Sequence, residues 1–310
     1  MAPPTMRAFA TNERGISGFI WKVATTFSVV HVSIRQFPTP TPSANEVLVK
    51  VKAVAQNPTD YKHIDLLGRP NSILGCDYAG TVEAVAESIP LTTAAVYSVS
   101  AVSAMQALNL PVTAGKEIFI HGGSTSASLF AIQIAKMAGL RVITTCSPHP
   151  NGLVKSYGAD QIYNYRDKSS VQKIKTTHPD LAMTFDGFGG ERSNEFCCNV
   201  VASQNGKVVS LDPMAKSTVK GVTLETMIMY TVFGRAFQLV PPIGPKLPVK
   251  AEDRAGLARF YSILPQLVEE QKLKPPPIKL MGTGFDKIEE GLGFLNSGKV
   301  SGQKLVFELY

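Results

Sequence analysis

Cysteine is scarce in this 310-residue chain: Cys76, Cys146, Cys197 and Cys198 are the whole set, and no two form a CxxC pair. That excludes a disulfide scaffold and a CxxC zinc or redox motif, and leaves reduced thiols in a cytoplasmic protein as the expectation. Gly (25) and Pro (21) are near average usage, which excludes collagen-like and low-complexity chains, and no repeat period is visible. The opening MAPPTMRAFATNERG lacks the apolar core of a secretory signal. Residues 88–115 carry no charged side chain until Lys116, yet Pro90, Pro111 and many hydroxyls interrupt them. A helix buried inside a domain is expected there rather than a membrane span. Basic residues exceed acidic ones by 31 to 24, but they form no block; the pair Lys173 and Lys175 beside His178 is the nearest approach. No nucleic-acid partner is expected, since that needs a basic stripe with interleaved aromatics. The net +7 instead suits solubility and anionic ligands.

What is present divides into two rhythms. Residues 46–54 alternate apolar and polar side chains, the mark of a half-buried strand, behind a lead-in with Pro38, Pro40 and Pro42. A second short strand is predicted over 79–85, and this early section reads as a small barrel. From Glu117 the pattern becomes strand, helix, strand. Strands are predicted over 117–121, 141–146, 161–165, 181–186 and 207–211, with helices between them. Repeated βα units of this length predict an α/β fold built on a doubly wound parallel sheet. Helices at 254–270 and 285–296 and a last strand at 304–309 follow, with Pro241–Pro248 a loop and Pro275 to Pro277 a linker.

The strongest chemical signal is Ile118-Phe-Ile-His-Gly-Gly-Ser-Thr-Ser-Ala-Ser128. Glycines at a strand end admit close backbone approach, and a helix starting there aims N–H groups and a positive dipole end at an anion. Ser124, Thr125 and Ser126 add hydroxyls. The full GxGxxG fingerprint is lacking, so a tight turn without ligand stays open as the alternative. An acid at the end of the next strand, which would bond a ribose 2′-OH, is lacking too: the segment reads Thr145-Cys-Ser-Pro-His149. A carboxylate would repel a 2′-phosphate, whereas Ser147 can donate to it, so NADPH is preferred over NADH; the other reading makes Ser147 and Pro148 plain turn residues. His31, His63 and His178 read as exposed or structural, His121 as a packing residue, and Cys197-Cys198 as core. Asp186 either faces the crevice or caps a helix.

Asn57-Pro-Thr-Asp-Tyr-Lys62, Leu74-Gly-Cys-Asp-Tyr-Ala-Gly-Thr-Val82, His121-Gly-Gly-Ser-Thr125, Cys146-Ser-Pro-His149 and Ser301-Gly-Gln-Lys-Leu305 occur in that order. Together they resemble the medium-chain dehydrogenase/reductase superfamily, and most of all its trans-acting enoyl reductases that serve fungal polyketide synthases. The resemblance implies a Rossmann NADPH-binding domain (residues 101–273) inserted in a GroES-like β-barrel domain (1–100 and 274–310). It implies nicotinamide contacts at Thr59, Asp60, Tyr61 and Lys62, and a pyrophosphate loop at Ser124, Thr125, Ser126 and Ala127. Ser147, Pro148, His149, Pro150 and Tyr165 fall on the 2′-phosphate and adenosine region, Leu211 and Asp212 near the nicotinamide ribose, and Ser301 and Gly302 on a last cofactor contact. Thr231, Val232, Phe233, Gly234 and Arg235 resemble a substrate-lining segment.

The implied reaction is reduction of an α,β-unsaturated polyketide thioester, with a polyketide synthase and its acyl carrier domain as partners. Lys62 is the candidate for polarising the thioester or relaying the proton, and Tyr61 the second; a cofactor-positioning or plain surface lysine is the alternative for Lys62. No metal is expected, because Asn57 and Cys76-Asp77 replace the Cys and His-Glu of zinc-dependent relatives. Two departures stand out. Pro150 takes the place of an Asn in the family's Ser-Pro-His-Asn, and Asn151 follows one place later. Val85-Ala-Glu-Ser-Ile-Pro90 also jumps almost directly from the Gly-Thr-Val strand toward the Rossmann part. That abbreviates the barrel where substrate would bind. Quinone or enone reduction, NADPH binding without catalysis, and docking on a synthase therefore stand as alternatives.

Overall fold

Strand alternation early and buried apolar runs later sort the chain into separate sheets. The computed structural model describes residues 3–12, 32–40, 48–67, 69–82, 97–108, 116–202, 206–217, 219–238 and 246–309. Among these, β1 (Thr5–Thr11) pairs antiparallel with β2 (Val32–Pro38). β3 (Val49–Ala55), β4 (Asp77–Val82), β13 (Ile278–Thr283) and β14 (Lys304–Glu308) form a four-stranded sheet in the order β13-β14-β3-β4, and β11 (Phe237–Gln238) pairs with β12 (Lys246–Leu247) in a short ribbon. β14 runs parallel to β13 and antiparallel to β3. As an inner strand it is an apolar run, with Leu305, Val306 and Phe307 buried, and it returns the chain's last section to the sheet begun by its first.

The second sheet holds β5 (Glu117–His121), β6 (Arg141–Cys146), β7 (Gln161–Asn164), β8 (Met183–Asp186), β9 (Lys207–Ser210) and β10 (Thr223–Thr226). Its order is β10-β9-β8-β5-β6-β7, and every pairing is parallel. This is the doubly wound Rossmann order, as expected, and its direction reverses between β5 and β8. Side chains alternate across the sheet. Ile118 and Ile120 pack on one face with Phe130, Ile132, Val142 and Phe185, while Phe119 packs on the other with Ile143, Ile174, Cys197 and Val208. The first of these clusters also takes in Ala53, Ala55 and Val306, so the two sheets share a core.

Helices α1 (Pro58–Lys62), α2 (Val99–Ala107), α3 (Ser126–Met137), α4 (Asn151–Ser156), α5 (Ser170–Thr177), α6 (Glu191–Val201), α7 (Ala251–Glu269) and α8 (Asp286–Asn296) connect or cover the sheets. α2 lies inside residues 88–115 and buries Ser100, Ala101, Val102, Ser103, Ala104 and Ala107, small side chains that allow close packing on α3. The abbreviated stretch at 85–90 lies outside the described residues. No helix among the described residues is long and apolar enough to cross a membrane. β1, β10 and β13 were not expected: β10 is only four residues long, β13 buries none of its side chains fully, and β1 is a continuous buried run only from Ala8 to Thr11. Pro38 ends β2 rather than preceding the first strand, a position tolerated on an edge strand.

Candidate cofactor and active site

β5 ends at His121, and the backbone then reverses through Gly122, whose φ of +71° favours glycine. At Gly123 a Cβ would strike the Thr144 hydroxyl and lie 3.1 Å from Val154. The turn is fixed by Gly123 N–H donating to Thr145 O (2.7 Å) and by Thr125, whose hydroxyl accepts from Ser128 N–H (3.2 Å) as the N-cap of α3. Thr125 Oγ1 also donates to Gly187 O (3.0 Å), tying this turn to the one after β8. Ser124, Ser126 and Ala127 thus stand at the N-terminus of a twelve-residue helix at the point where strand order reverses. First-turn amides, two free-standing hydroxyl groups and no carboxylate between Gly122 and Ser128 form a donor set that fits a pyrophosphate.

Beneath the turn, His121 and Asp186 are register neighbours on β5 and β8. Burial holds the His121 pKa below the usual histidine value, against the pull of Asp186. Its Nδ1 lies 2.8 Å from Thr145 Oγ1, so it is a packing residue, as expected. Asp186 Oδ1 accepts from the amides of Phe188 (3.1 Å) and Gly189 (3.0 Å) and from the Ser193 hydroxyl; it organises the turn into α6. Asp212 similarly accepts from Met214 N–H (3.0 Å) and Asn194 Nδ2 (3.2 Å), with Leu211 donating to Asp186 O (3.3 Å).

Beyond its last residue, β6 runs into half-buried Ser147, exposed Pro148 and His149, and buried Pro150, the N-cap of α4. Asn151, displaced by Pro150, spends its side-chain oxygen accepting from Cys146 Sγ (2.9 Å). Gly302 (φ +65°) presses here: a Cβ on it would meet Leu153 at 2.9 Å and Pro150 at 4.0 Å. The fold therefore brings Ser301-Gly302 to the Ser147–Pro150 turn. Tyr165, just past β7, is 41% exposed and meets His121 edge-on at 6.2 Å.

The α1 residues meet a different neighbourhood. Asn57 N–H donates to Asp60 Oδ2 (2.7 Å), the capping box that starts α1 after Asn57. Asp60 Oδ1 is buried with no hydrogen-bond partner among the described residues, and burial, reinforced by Asp77, raises its pKa to about 7. Cys76 beside it is pushed up to about 12, chiefly by burial, so it is a thiol and not a thiolate. Thr59 Oγ1 lies 2.7 Å from Tyr230 Oη, and His63 donates from Nδ1 to Thr59 O (2.7 Å) and sits edge-on to Tyr230. Sequence reasoning missed Tyr230, because its contact with Thr59 joins segments far apart in the chain; its place one residue before the Thr231–Arg235 stretch was the available signal. Lys62 is exposed at the end of α1, whereas Tyr61 packs with Phe9, Ile64 and Leu292, where burial raises its pKa.

Behind α1 lies a buried ion pair: Lys304 Nζ is 2.9 Å from Asp77 Oδ2, with side-chain exposures of 3% and 0%. Lys304 also donates to Asn57 Oδ1 and to Ser100 Oγ (3.1 Å), and Asp77 accepts from Asn57 Nδ2 (2.7 Å), Val99 N–H (2.7 Å) and Ser98 Oγ. A lysine ammonium thus contacts both Asn57 and Asp77. In the expected substrate segment, Thr231 and Val232 are buried, and Thr231 bonds Asp253 and Ile228 O. Phe233 and Arg235 are exposed, and Gly234 closes the turn on Arg254.

Residues 43–118 match the alcohol dehydrogenase GroES-like domain family. A trans-enoyl reductase of Alternaria alternata is 30% identical, the match taking in 90% of this chain and 96% of that protein. The chain belongs to the medium-chain dehydrogenase/reductase superfamily. Another relative in it, the enoyl reductase component of the lovastatin nonaketide synthase of Aspergillus terreus, is 30% identical over 88% of this chain and 91% of its own length. The CurK enoyl reductase structure shares the fold, with a TM-score of 0.75 at 16% identity over 99% of this chain and 100% of that one. The alignment to the Alternaria protein runs over 334 positions, more than 90% of 310 residues can fill. That superfamily member therefore carries internal residues, tens of them, that have no counterpart here.

Proposed function

We propose that this protein is an NADPH-dependent trans-acting enoyl reductase that reduces an α,β-unsaturated polyketide thioester presented by a polyketide synthase on its acyl carrier domain. The observation that carries the reading is the carboxylate-free anion cradle at the β5–α3 turn, placed at the reversal of a Rossmann sheet and joined by Ser147, Tyr165 and Ser301-Gly302. The names of the relatives supply the substrate class. NADPH, when bound, supplies the hydride that ends on the substrate β-carbon, and a proton then completes the α-carbon. Ser124, Ser126 and the first amides of α3 hold the pyrophosphate; Thr59 to Lys62, with Leu211 and Asp212, border the nicotinamide end. We assign polarisation of the thioester oxygen to Lys62, whose exposed ammonium ends α1, and the anchoring of α1 to Tyr61. Residues 1–100 and 274–310 form the GroES-like domain and 101–273 the Rossmann domain in this reading, in a cytoplasmic protein with no metal, nucleic acid or membrane partner.

The test is NADPH oxidation measured with an enoyl thioester and a quinone in parallel. Oxidation with the thioester supports the reading; oxidation with the quinone alone selects the quinone or enone reductase instead. The internal stretch lacking relative to the Alternaria protein favours a second reading, a nucleotide-binding protein without turnover. Tight NADPH binding with neither substrate reduced selects that one.

A further inference from the structure

We propose that Arg166 is the residue that recognises the cofactor's 2′-phosphate and so sets the preference for NADPH over NADH; this rests on the nucleotide-binding reading above. The parallel register pairs Cys146 of β6 with Asn164 of β7, so Ser147 and Tyr165 leave the sheet side by side at its carboxyl end, with Arg166 one residue on. In a Rossmann sheet this notch receives the adenosine ribose, where an acid selects the 2′-OH and an arginine accommodates a 2′-phosphate. No acid lies between Cys146 and Pro150.

The cation is also held ready. The Arg166 guanidinium lies over the Tyr165 ring, 5.5 Å from its centroid, and Tyr165 in turn leans edge-on against buried His121 at 6.2 Å. Stacking of this kind fixes the plane of a guanidinium without using its N–H donors, which suits bidentate contact with a phosphate. The neighbouring acids are engaged elsewhere. Asp167 pairs with Lys173 (2.8 Å) and accepts from Ser169, and Asp160 pairs with Lys136 (2.8 Å). Among the described residues no carboxylate pairs with Arg166. The notch thus presents an uncompensated arginine, a serine hydroxyl and an aromatic face, a set for a phosphomonoester on a ribose.

Equilibrium titration of the full chain with NADPH and with NADH, followed by nicotinamide fluorescence, tests this for the native sequence, Arg166→Ala and Arg166→Lys. The native chain is expected to bind NADPH at least about tenfold more tightly than NADH. Arg166→Ala should weaken NADPH about tenfold to a hundredfold, the loss of a charge-assisted contact, leave NADH within about twofold, and flatten the salt dependence of NADPH binding. Arg166→Lys should recover part of the loss. Because the Arg166 side chain is exposed and, among the described residues, hydrogen-bonds through its backbone N–H to Asn164 (3.0 Å), the fold should survive, with the unchanged NADH affinity as the internal control. Equal losses for both nucleotides, or no change for either, would overturn the assignment. A native chain that binds neither nucleotide would overturn the nucleotide-binding reading itself, and the role of Arg166 with it.

Discussion

Replacing Lys304 by Met removes the one ammonium group that, among the described residues, faces Asp77 and Asn57 in the interior. Its partner carboxylate is wholly buried, so the variant leaves a charge without a counter-ion and opens the lattice that joins β14, β4, α1 and α2. Breaking a buried pair from one side costs about 3–5 kcal/mol. The remaining donors to Asp77, from Asn57, Val99 and Ser98, place the expected cost at the lower end, about 3 kcal/mol. Removing both charges, with Lys304→Met and Asp77→Asn together, should cost less than the sum of the single changes, with a coupling of about 2 kcal/mol or more. Urea denaturation of the four proteins in the cycle measures this. A single-variant cost below about 1 kcal/mol, or additive changes, would refute the view that this pair is an interior electrostatic unit.

Gly123→Ala should destabilise by about 1–3 kcal/mol, because its Cβ meets Thr144 and Val154 inside the turn, and should abolish measurable NADPH binding in a titration. Asp60 makes stability depend on pH. Burial raises its folded pKa to about 7, above the unfolded value, so its contribution is full below about pH 4 and is lost as pH rises through 7. Asp60→Asn should flatten that fall, a few kcal/mol in unfolding free energy from urea titrations between pH 4 and 8; an unchanged slope contradicts the assignment. Lys62→Ala should lower kcat/KM for an enoyl thioester about tenfold or more, and unchanged turnover would remove Lys62 from the mechanism.

The Rossmann half was the more legible part, for a physical reason. Parallel strands buried on both faces must be short apolar runs, and Gly139 and Gly158 mark where the helices after β5 and β6 stop. Edge elements such as β1 and β13, stabilised by pairing more than by patterning, left no comparable trace. The same division holds at the site. The Gly122-Gly123 turn announces itself locally, as does the lack of an acid after Cys146. The Lys304–Asp77 pair and the Thr59–Tyr230 contact join residues from opposite ends of the fold, and no spacing rule connects them. Local chemistry also hid the fate of Asn151: only the structure shows its side chain spent on Cys146.

Reduction of an enoyl thioester with NADPH deuterated at the transferred position tests the central claim most directly. The saturated product should carry one deuterium, on the β-carbon, with one NADPH consumed per thioester reduced. NADPH bound but no saturated thioester formed, or deuterium appearing only in a reduced quinone, would contradict it.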